Sequence, residues 1–302
     1  MKRILVIGSL NMDMVIGMDH LPVLGETILA ENYYMNPGGK GANQAYAAGK
    51  LGADTTFFGA VGDDSNGQRL LHNLNEVGVN TDHIVVKENS STGTAVITVD
   101  KNGDNCIIVI PGANALLSKE DIIRNKHLIE ACDILLLQLE IPLETVLFAA
   151  HTARQLNKTV ILDPAPAPVR PPVELLPFID IIKPNETELH MLTGKMDISS
   201  SIDTLRGYGA KDVIVTLGEN GVYVNSVKEG TFHLPALPVV PIDTTAAGDS
   251  FTAALAVMLA DGKTLKEAAA FANKVGAVAV TREGAQQSIP TLKEVAGYSI
   301  AT

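Results

Sequence analysis

Ile4-Leu5-Val6-Ile7-Gly8 is a short run of apolar residues that ends in glycine. Such a continuous run is typical of a strand that is buried on both faces, as in a parallel sheet. Segments with a helix-like pattern occur at 42–51, 67–77, 143–156 and 186–192. Further apolar runs lie between and beyond them, at 55–60, 134–139, 159–162, 179–182 and 213–217. Strands that alternate with helices predict an α/β fold in which helices cover both faces of the sheet.

Two stretches interrupt this alternation, residues 14–36 and residues 94–110. The first carries scattered apolar residues without a helical period, and the second reads as a hairpin whose turn contains Asn102-Gly103. Together they could form a small antiparallel sheet that projects from the main domain as a lid or a dimer surface. Surface β-structure without a special role is the alternative that the pattern leaves open.

The composition narrows the class of protein. A chain of 302 residues can bury a large core, and its formal net charge of −11 repels nucleic acid and anionic membrane surfaces. We therefore expect neither as a partner. The two cysteines, Cys106 and Cys132, form no C-x-x-C pair, and no apolar stretch approaches the roughly 20 residues that a membrane helix needs. We expect a cytoplasmic protein.

The segment Asp243-Thr244-Thr245-Ala246-Ala247-Gly248-Asp249 precedes small and aliphatic residues that predict a helix over 250–259. The Ala-Ala-Gly stretch therefore lies at a helix N-terminus, whose free N–H groups and dipole attract anions. Asp249 could accept a proton from a substrate hydroxyl that is aimed at a bound phosphate. Alternatively, Asp249 or Thr245 caps the helix.

The segment Gly38-Gly39-Lys40-Gly41-Ala42-Asn43 is a glycine cluster in front of a predicted helix. Glycines permit a close approach of the backbone to a ligand, and Lys40 supplies a cation. The segment is not a Walker A loop, because Lys40 is followed by Gly41 rather than by Ser or Thr. A flexible turn capped by Asn43 is the alternative.

Polar residues follow two of the apolar runs. Asn11 and Asp13 come after the first run, where a dinucleotide-binding protein would carry G-x-G-x-x-G, and Glu140 follows the run at 134–139. An amide and a carboxylate suit several sugar hydroxyls at once, whereas an Asx-turn would explain Asn11 and Asp13 without a ligand. Since ligands in parallel sheets bind beyond the carboxyl ends of the strands, all three residues are candidates for binding.

Two further motifs lie in the second half of the chain. Asn185 and Glu188 are one helical turn apart, so the carboxylate could act on Mg²⁺ through water, although the pair also fits a capping box. The segment 216–221 is either a nucleotide-binding turn or an ordinary hairpin. The sequence contains no H-E-x-x-H and no G-x-S-x-G motif, so nothing indicates hydrolase chemistry.

In this order, the motifs resemble those of the ribokinase family of sugar kinases, over residues 4 to 290. The segments 38–43 and 243–249 are specific to that family. The resemblance implies a Rossmann-like, three-layer α/β/α domain formed by the whole chain, with a mostly parallel central sheet. It also implies a small β-sheet lid, formed by about 14–36 and 94–110, that serves as a homodimer interface. The implied activity is ATP-dependent phosphorylation of D-ribose at its primary hydroxyl, with ATP, Mg²⁺ and K⁺ as cofactors.

The resemblance also implies roles for individual residues. Asp249 would deprotonate the sugar hydroxyl, and the N–H groups of the anion hole would belong to Ala246, Ala247 and Gly248. The residues implied to bind the sugar are Asn11, Asp13, Gly39, Lys40, Asn43, Glu140 and Asp249. Those implied to line the nucleotide site are Asn185, Thr216, Gly218, Gly221, Gly248 and Asn273, with Glu188 acting on Mg²⁺ through water. A monovalent-cation site would use Asp243, Thr245, Ala279, Arg282, Gly284 and Ser288, mostly through backbone carbonyls.

Two residues depart from the family's pattern. Asn273 stands where some members carry histidine beside the adenine, and we expect a modest effect on nucleotide affinity. Gln287 replaces the proline that is often found in the Gly-Ala-Gln-x-Ser segment, which bears on the geometry of the cation loop.

Three other functions stay open at this point. The first is a kinase for another small sugar or a nucleoside, such as deoxyribose, fructose or adenosine; seven Phe and no Trp make an aromatic nucleoside pocket the weaker choice. The second is a sugar-binding regulator without activity, which would not need Asp249. The third is a dinucleotide-dependent oxidoreductase, which would carry the glycine fingerprint after the first strand.

Overall fold

The fold is that of a computed structural model, which describes residues 3–298. The strands are β1 (Arg3–Ile7), β2 (Asn11–Gly17), β3 (Asn32–Gly38), β4 (Asp54–Phe58), β5 (Ala60–Gly62), β6 (Val85–Lys87), β7 (Gly93–Val99), β8 (Asn105–Ile110), β9 (Ile134–Leu137), β10 (Thr159–Leu162), β11 (Ile181–Ile182), β12 (Asp212–Thr216), β13 (Val222–Ser226) and β14 (Gly230–Leu234). The helices are α1 (Lys40–Lys50), α2 (Ser65–Glu76), α3 (Lys119–Arg124), α4 (Lys126–Ala131), α5 (Leu143–Gln155), α6 (Glu186–Thr193), α7 (Ile198–Gly207), α8 (Ala247–Ala260), α9 (Leu265–Ala279) and α10 (Leu292–Gly297).

Eight strands form the central sheet, in the order β14-β13-β12-β11-β10-β9-β1-β4. The six strands from β12 to β4 run parallel, and β13 and β14 add an antiparallel edge. The prediction of a mostly parallel sheet is therefore confirmed. One predicted strand was wrong in its extent: the run at 55–60 divides at Gly59 into β4 and β5, and β5 pairs with β6 outside the central sheet.

The first strand shows why both faces of the sheet need helices. Ile4 and Val6 pack into a core together with residues of α1, α2, α8, α9 and α10. Leu5 and Ile7 point to the other face, where they pack with residues of α3 to α7. All four side chains are at most 1% exposed, as expected for a continuous apolar run between two helical layers. The result is a three-layer α/β/α domain.

A second sheet, which we call the small sheet, has the strand order β3-β2-β7-β8. Its strands lie in the two stretches that interrupted the helix–strand alternation. The expectation of a purely antiparallel sheet was wrong, because β2 and β7 pair in parallel. These two strands belong to chain segments separated by α1 and α2, so the chain re-enters the small sheet in the same direction rather than through a hairpin. Its use as a lid stays a prediction.

The carboxyl ends of the parallel strands bring the chemically interesting residues to one edge of the central sheet. Beyond β1, β9, β10 and β11 lie Ser9, Gln138, Asp163 and Lys183, respectively, and all four are buried. A buried polar residue at this edge needs a partner, which places the candidate site here.

Candidate active site

Helix α8 presents an open N-terminus to this edge. Its N-cap is Ala246, which has a left-handed backbone with φ of 58° and offers no capping side chain. The alternative that Asp249 or Thr245 caps the helix is therefore wrong. Of the predicted anion-hole groups, the Ala247 N–H makes a long 3.3 Å bond to the Thr244 carbonyl. Those of Ala246 and Gly248 find no acceptor within the part of the chain that the structure describes, so they remain available to an anion.

Asp249 lies in the first turn of α8 and is only 6% exposed. Its Oδ2 accepts a hydrogen bond from Asn43 Nδ2 at 2.9 Å, and its Oδ1 accepts one from Gln44 Nε2 at 3.1 Å. Burial raises the pKa of Asp249 above its ordinary value; Lys40 opposes this rise and Asp163 adds to it. A carboxylate of raised pKa is a stronger base than a free one, which suits it to accept a proton near neutral pH.

A buried ion pair between Lys183 and Asp163 supports the position of Asp249. Lys183 Nζ lies 3.0 Å from Asp163 Oδ2, and both side chains are almost fully buried. The same Asp163 oxygen accepts a 3.0 Å bond from Gln44 Nε2, and the Gln44 oxygen accepts one from Gln138 Nε2 at 2.6 Å. Lys183 also reaches the Gly248 carbonyl at 3.5 Å. The pair therefore connects the amide that holds Asp249 with the first turn of α8.

Sequence reasoning assigned no role to Gln44, Asp163 or Lys183. Two of them carried a usable signal, because Asp163 directly follows the apolar strand β10 and Lys183 directly follows β11. Gln44 carried none, since it is one polar residue within a helix and its partner Asp163 lies 119 positions away in sequence.

The glycine-rich segment before α1 packs against the residues that follow β1. Gly39 has φ of 89°, and a Cβ there would lie 2.8 Å from the backbone nitrogen of Asn11. A Cβ on Gly41 would lie 2.6 Å from the backbone nitrogen of Ser9. The N-cap of α1 is Gly39 without a side-chain hydrogen bond, so the alternative that Asn43 caps a turn is wrong. The glycines are required by close backbone packing.

Lys40 stands among several acidic groups. Burial lowers the pKa of its ammonium, but the carboxylates of Asp249, Asp163, Glu140 and Glu188 more than offset that effect, and the pKa is raised. The Lys40 backbone N–H donates to Glu140 Oε2 at 3.0 Å. Lys40 therefore stays charged in the site, where it can attract an anionic ligand.

Asn11 and Asp13 lie in β2, so the alternative of an Asx-turn is wrong. Asn11 Oδ1 accepts a 2.8 Å bond from Asn114 Nδ2, and its own NH₂ group is thereby left to donate to a ligand. Burial raises the pKa of Asp13 to about 7, with Glu140 and Asp249 contributing in the same direction. A buried carboxyl group and a free amide donor form a site suited to hydroxyl groups.

A cavity of about 780 Å³ runs from Asp249 and Lys40 across the N-terminus of α8. It is large enough for a ligand of nucleotide size. All of the predicted nucleotide residues line it, together with Glu188: Asn185, Thr216, Gly218, Gly221, Gly248 and Asn273. Of the predicted sugar residues, Lys40 and Asp249 line this cavity, whereas Asn11, Asp13, Gly39, Asn43 and Glu140 do not. Glu140 acts electrostatically on Lys40, and Asp249 acts on Asp13.

The two motifs in the second half of the chain both have the structural role that the sequence allowed as an alternative. Asn185 and Glu188 form a capping box at the start of α6, with both backbone-to-side-chain bonds at 2.8 Å. Strands β12 and β13 form a hairpin around Gly218–Asn220. Because both features also line the cavity, their structural role does not exclude a role in binding.

The predicted cation residues meet in part. Asp243 Oδ1 accepts from the Thr245 N–H at 2.8 Å, and Asp243 Oδ2 accepts from the Gly284 N–H at 2.9 Å. Burial raises the pKa of Asp243, but these bonds outweigh it and hold the pKa below its usual value. The Arg282 side chain turns away to pair with Glu294 at 2.9 Å, so only its backbone could take part.

The remaining two members of the set are Ala279, which ends α9, and Ser288, whose hydroxyl donates to the Ala285 carbonyl at 2.7 Å. Over residues 3–298, no three His, Cys, Asp or Glu side chains gather in a way that would hold a metal ion. A cation here would therefore rely mainly on backbone carbonyls, with Asp243 as the carboxylate of the predicted set.

The arrangement suits phosphoryl transfer. An open helix N-terminus and two lysines can bind a polyphosphate, and a buried carboxylate in the first helical turn can take a proton from an attacking hydroxyl. None of the helices in the described range combines the length and the hydrophobicity that a membrane span requires. The cytoplasmic location expected from the sequence stays a prediction.

Comparison with known proteins agrees with this geometry. The family model described as "pfkB family carbohydrate kinase" matches residues 1–292. The ribokinase of Haemophilus influenzae is 40% identical over 298 residues, which cover 97% of each chain.

Solved structures give the same result. The structure of a ribokinase from Thermotoga maritima superposes with a TM-score of 0.91 at 40% identity and covers 98% of each chain. A structure of Arabidopsis thaliana ribokinase complexed with ribose and ATP superposes with a TM-score of 0.90 at 35% identity and covers 99% of each chain. The match along almost the whole length confirms the family that the motifs indicated, and this chain belongs to the pfkB family of carbohydrate kinases.

Proposed function

We propose that this chain transfers the γ-phosphoryl group of ATP to the primary hydroxyl of D-ribose, which gives ribose 5-phosphate and ADP. The observation that carries the proposal is the buried Asp249 carboxylate in the first turn of α8, beside the Ala246 and Gly248 N–H groups, which find no acceptor among residues 3–298. Relatives named ribokinase at 40% identity support ribose as the sugar.

Asp249 is the proposed base. As the sugar hydroxyl attacks, its proton passes to a carboxylate oxygen of Asp249, a bond forms between the sugar oxygen and the γ-phosphorus, and the bond to the β–γ bridging oxygen breaks. The N–H groups of Ala246, Ala247 and Gly248 would bind the negative charge on the transferred group, with the Ala247 N–H released from its long bond to Thr244. Lys40, which lines the same cavity, would attract the same charge.

The sugar site is proposed from the polar groups around Asp249. Asn11 offers its NH₂ group, Asp13 and Glu140 offer carboxyl oxygens, and Asn43 already touches Asp249. Gly39 lets its own backbone pack closely against that of Asn11. A hydroxyl-rich sugar would satisfy these groups, whereas a sugar that lacks one hydroxyl would leave a buried partner unpaired.

The nucleotide site is proposed along the cavity, with Mg²⁺ beside Glu188. Burial raises the pKa of Glu188 and Asp163 adds to the rise, while Lys183 and Lys40 oppose it, so a cation beside Glu188 would stabilise its charged form. Carboxylate oxygens that act through water are ligands that Mg²⁺ accepts. When bound, Mg²⁺ would neutralise charge on the β- and γ-phosphates; Asn185, Thr216, Gly218, Gly221 and Asn273 would hold the nucleotide.

A monovalent cation, K⁺, is proposed beside the anion hole. The Gly284 N–H donates a hydrogen bond to the Asp243 carboxylate. The carboxylate therefore lies close to the backbone around Gly284, whose carbonyl oxygens are ligands of the kind that K⁺ prefers. The remaining donors would be Thr245 and the carbonyls of Ala279, Arg282, Gly284 and Ser288. We expect higher turnover in K⁺ than in Na⁺ at constant ionic strength, measured as kcat; equal turnover would remove this site from the proposal.

We also propose a homodimer through the small sheet. Its edge strand β8 carries four consecutive large apolar residues that are 47–64% exposed: Ile107, Ile108, Val109 and Ile110. An apolar edge strand of this kind pairs readily with another chain. The same sheet, closing over the sugar, would exclude water from the transfer.

The test of the function is ADP release from Mg-ATP with ribose, deoxyribose, fructose and adenosine, with the product identified by ³¹P NMR. The proposal expects fast turnover with ribose and a phosphomonoester on its primary carbon. Preferred turnover of another sugar would change the substrate and keep the chemistry. Sugar binding without turnover on any compound would replace the kinase with a sugar-binding regulator.

A further inference from the structure

A row of three amide side chains connects the segment 284–288 with Asp249. Asn73 of α2 donates from Nδ2 to Gln286 Oε1. Gln286 donates from Nε2 to Asn43 Oδ1 at 3.0 Å, and Asn43 donates from Nδ2 to Asp249 Oδ2 at 2.9 Å. Gln286 is 3% exposed and Asn43 is 7% exposed. The row therefore runs through the protein interior from α2 to the proposed base.

The direction of the row determines what Asn43 presents to Asp249. An amide has one accepting end and one donating end. Gln286 occupies the accepting end of Asn43, so the donating end must face Asp249. If Asn43 turned over, its oxygen would face a carboxylate oxygen, and two acceptors would be buried against each other. Asn73 fixes Gln286 in the same way.

We infer that Gln286 is a positioning residue for phosphoryl transfer: it fixes the Asn43 amide so that a donor always holds the Asp249 carboxylate in place. Gln286 acts through Asn43 and does not line the cavity. Gln286 lies between Gly284 and Ser288 in the chain. The Gly284 N–H donates a hydrogen bond to Asp243, which belongs to the loop 243–248 that forms the proposed anion hole and is called the anion-hole loop below. One short segment thus contacts the anion-hole loop directly and the base through Asn43. The inference rests on the function proposed above.

The row also bears on the proton affinity of the base. The charged groups that act on Asp249 are Lys40 of α1 and Asp163 after β10. Asp249 in turn acts on Asp13 of β2, and Lys183 lies at the Gly248 carbonyl beside it. The hydrogen bond from Asn43 lowers the pKa of Asp249. Loss of a fixed donor would therefore raise that pKa further, without a change in any of these charges.

The test substitutes Gln286→Met, which keeps the length of the side chain and removes both ends of its amide. The matched control is Gln68→Met, the same change at an exposed position of α2. We expect Gln286→Met to lower kcat/KM for the sugar by about tenfold to a hundredfold at pH 7, through loss of positioning. The acid limb of its pH profile should move upward by about 0.5–1 pH unit, the effect of one hydrogen bond on a carboxylate. KM for ATP should stay as in the wild type, and the Gln68→Met enzyme should be unchanged in both KM values and in its pH profile.

Asn73→Ala is a second variant that tests the same inference if Gln286→Met folds poorly. It removes only the contact that orients Gln286, so the acid limb should move in the same direction by a smaller amount. An unmoved acid limb in both variants, or an equal rise of KM for ATP and sugar, would overturn the inference and leave Gln286 a purely structural residue. Because every comparison is made against active wild-type enzyme, a wild type without sugar kinase activity would instead refute the proposed function.

Discussion

Asp13 lies within electrostatic range of the carboxyl groups of Glu140 and Asp249, and both of these also act on Lys40. Burying a carboxylate costs free energy, and burial is the main cause of the raised pKa values of Asp13 and Asp249. Glu140 and Asp249 add to the rise at Asp13, and Asp163 adds to the rise at Asp249. A sugar can repay part of it, because its hydroxyl groups donate hydrogen bonds to the carboxylates. The residues that destabilise the empty site are thus the ones expected to bind.

Asp13→Asn tests this at the level of one residue. With a pKa raised to about 7 in the folded protein, Asp13 binds its proton more tightly folded than unfolded, so its contribution to stability falls as pH rises from about 4 to about 7 and is constant above. Asn cannot ionise. We expect the variant to be more stable than the wild type at pH 8, by up to about 4 kcal/mol.

The measurement is urea unfolding of both proteins at pH 8 and pH 5, together with KM for the sugar. The stability difference should shrink at pH 5, and KM for the sugar should rise far more than KM for ATP. A difference that is the same at both pH values would show that Asp13 does not titrate in this range.

Residues in motifs could be predicted from the sequence, and isolated residues could not. Asp249, Lys40 and Asn185 stand in short segments whose glycines, lysine or helix start already suggest a ligand. Gln286 and Asn43 are 243 positions apart, and no local pattern relates them. The roles of such residues depend on which helices pack together, which the sequence does not state.

At the level of elements, helix starts carry much of the site. Helix α8 leaves its N-terminus open to an anion, whereas α6 closes its own with Asn185 and Glu188. The same capping box starts α9 with Thr264 and Glu267, which do not line the cavity. The chain therefore contains a cap that faces the cavity and a comparable cap that does not.

Asn185→Ala and Thr264→Ala separate capping from binding. Each removes one N-cap and should cost about 1 kcal/mol of stability. Only Asn185→Ala should also raise KM for ATP, since Asn185 lines the cavity. Thermal unfolding and ATP kinetics of both variants decide the matter: an equal effect of the two on KM for ATP would mean that Asn185 is only a cap.

The sequence predicted the elements of the main domain better than those of the small sheet. The predicted helices at 42–51, 67–77, 143–156 and 186–192 match α1, α2, α5 and α6 with ends shifted by at most two residues. The parallel pairing of β2 with β7 could not be predicted, since it joins strands that are far apart in sequence and leaves no periodic signal.

At the scale of the whole molecule, the small sheet stands out because one of its strands exposes consecutive large apolar residues. Its edge strand β8 is exposed along its whole length, although it contains Ile107 to Ile110. A monomer would present these apolar side chains to water, and a second chain would cover them. The proposed dimer accounts for an apolar sequence in an exposed strand.

Ile108→Lys should convert the dimer to a monomer, because a buried lysine at an edge strand opposes pairing. Val227→Lys is the control: Val227 is 65% exposed, close to the 64% of Ile108, but it lies in the turn between β13 and β14. Sedimentation velocity compares the two variants with the wild type. A wild-type monomer, or an Ile108→Lys dimer of unchanged stability, would refute the interface.

The central claim is that Asp249 is the base of a sugar kinase, and Asp249→Asn tests it most directly. The substitution preserves the size of the side chain and removes its ability to take the proton. We expect kcat for ribose to fall by about 10²–10⁴, the range that general-base catalysis contributes, while calorimetry shows ribose binding within about threefold of the wild type. Turnover close to that of the wild type, with ribose still bound, would contradict the account.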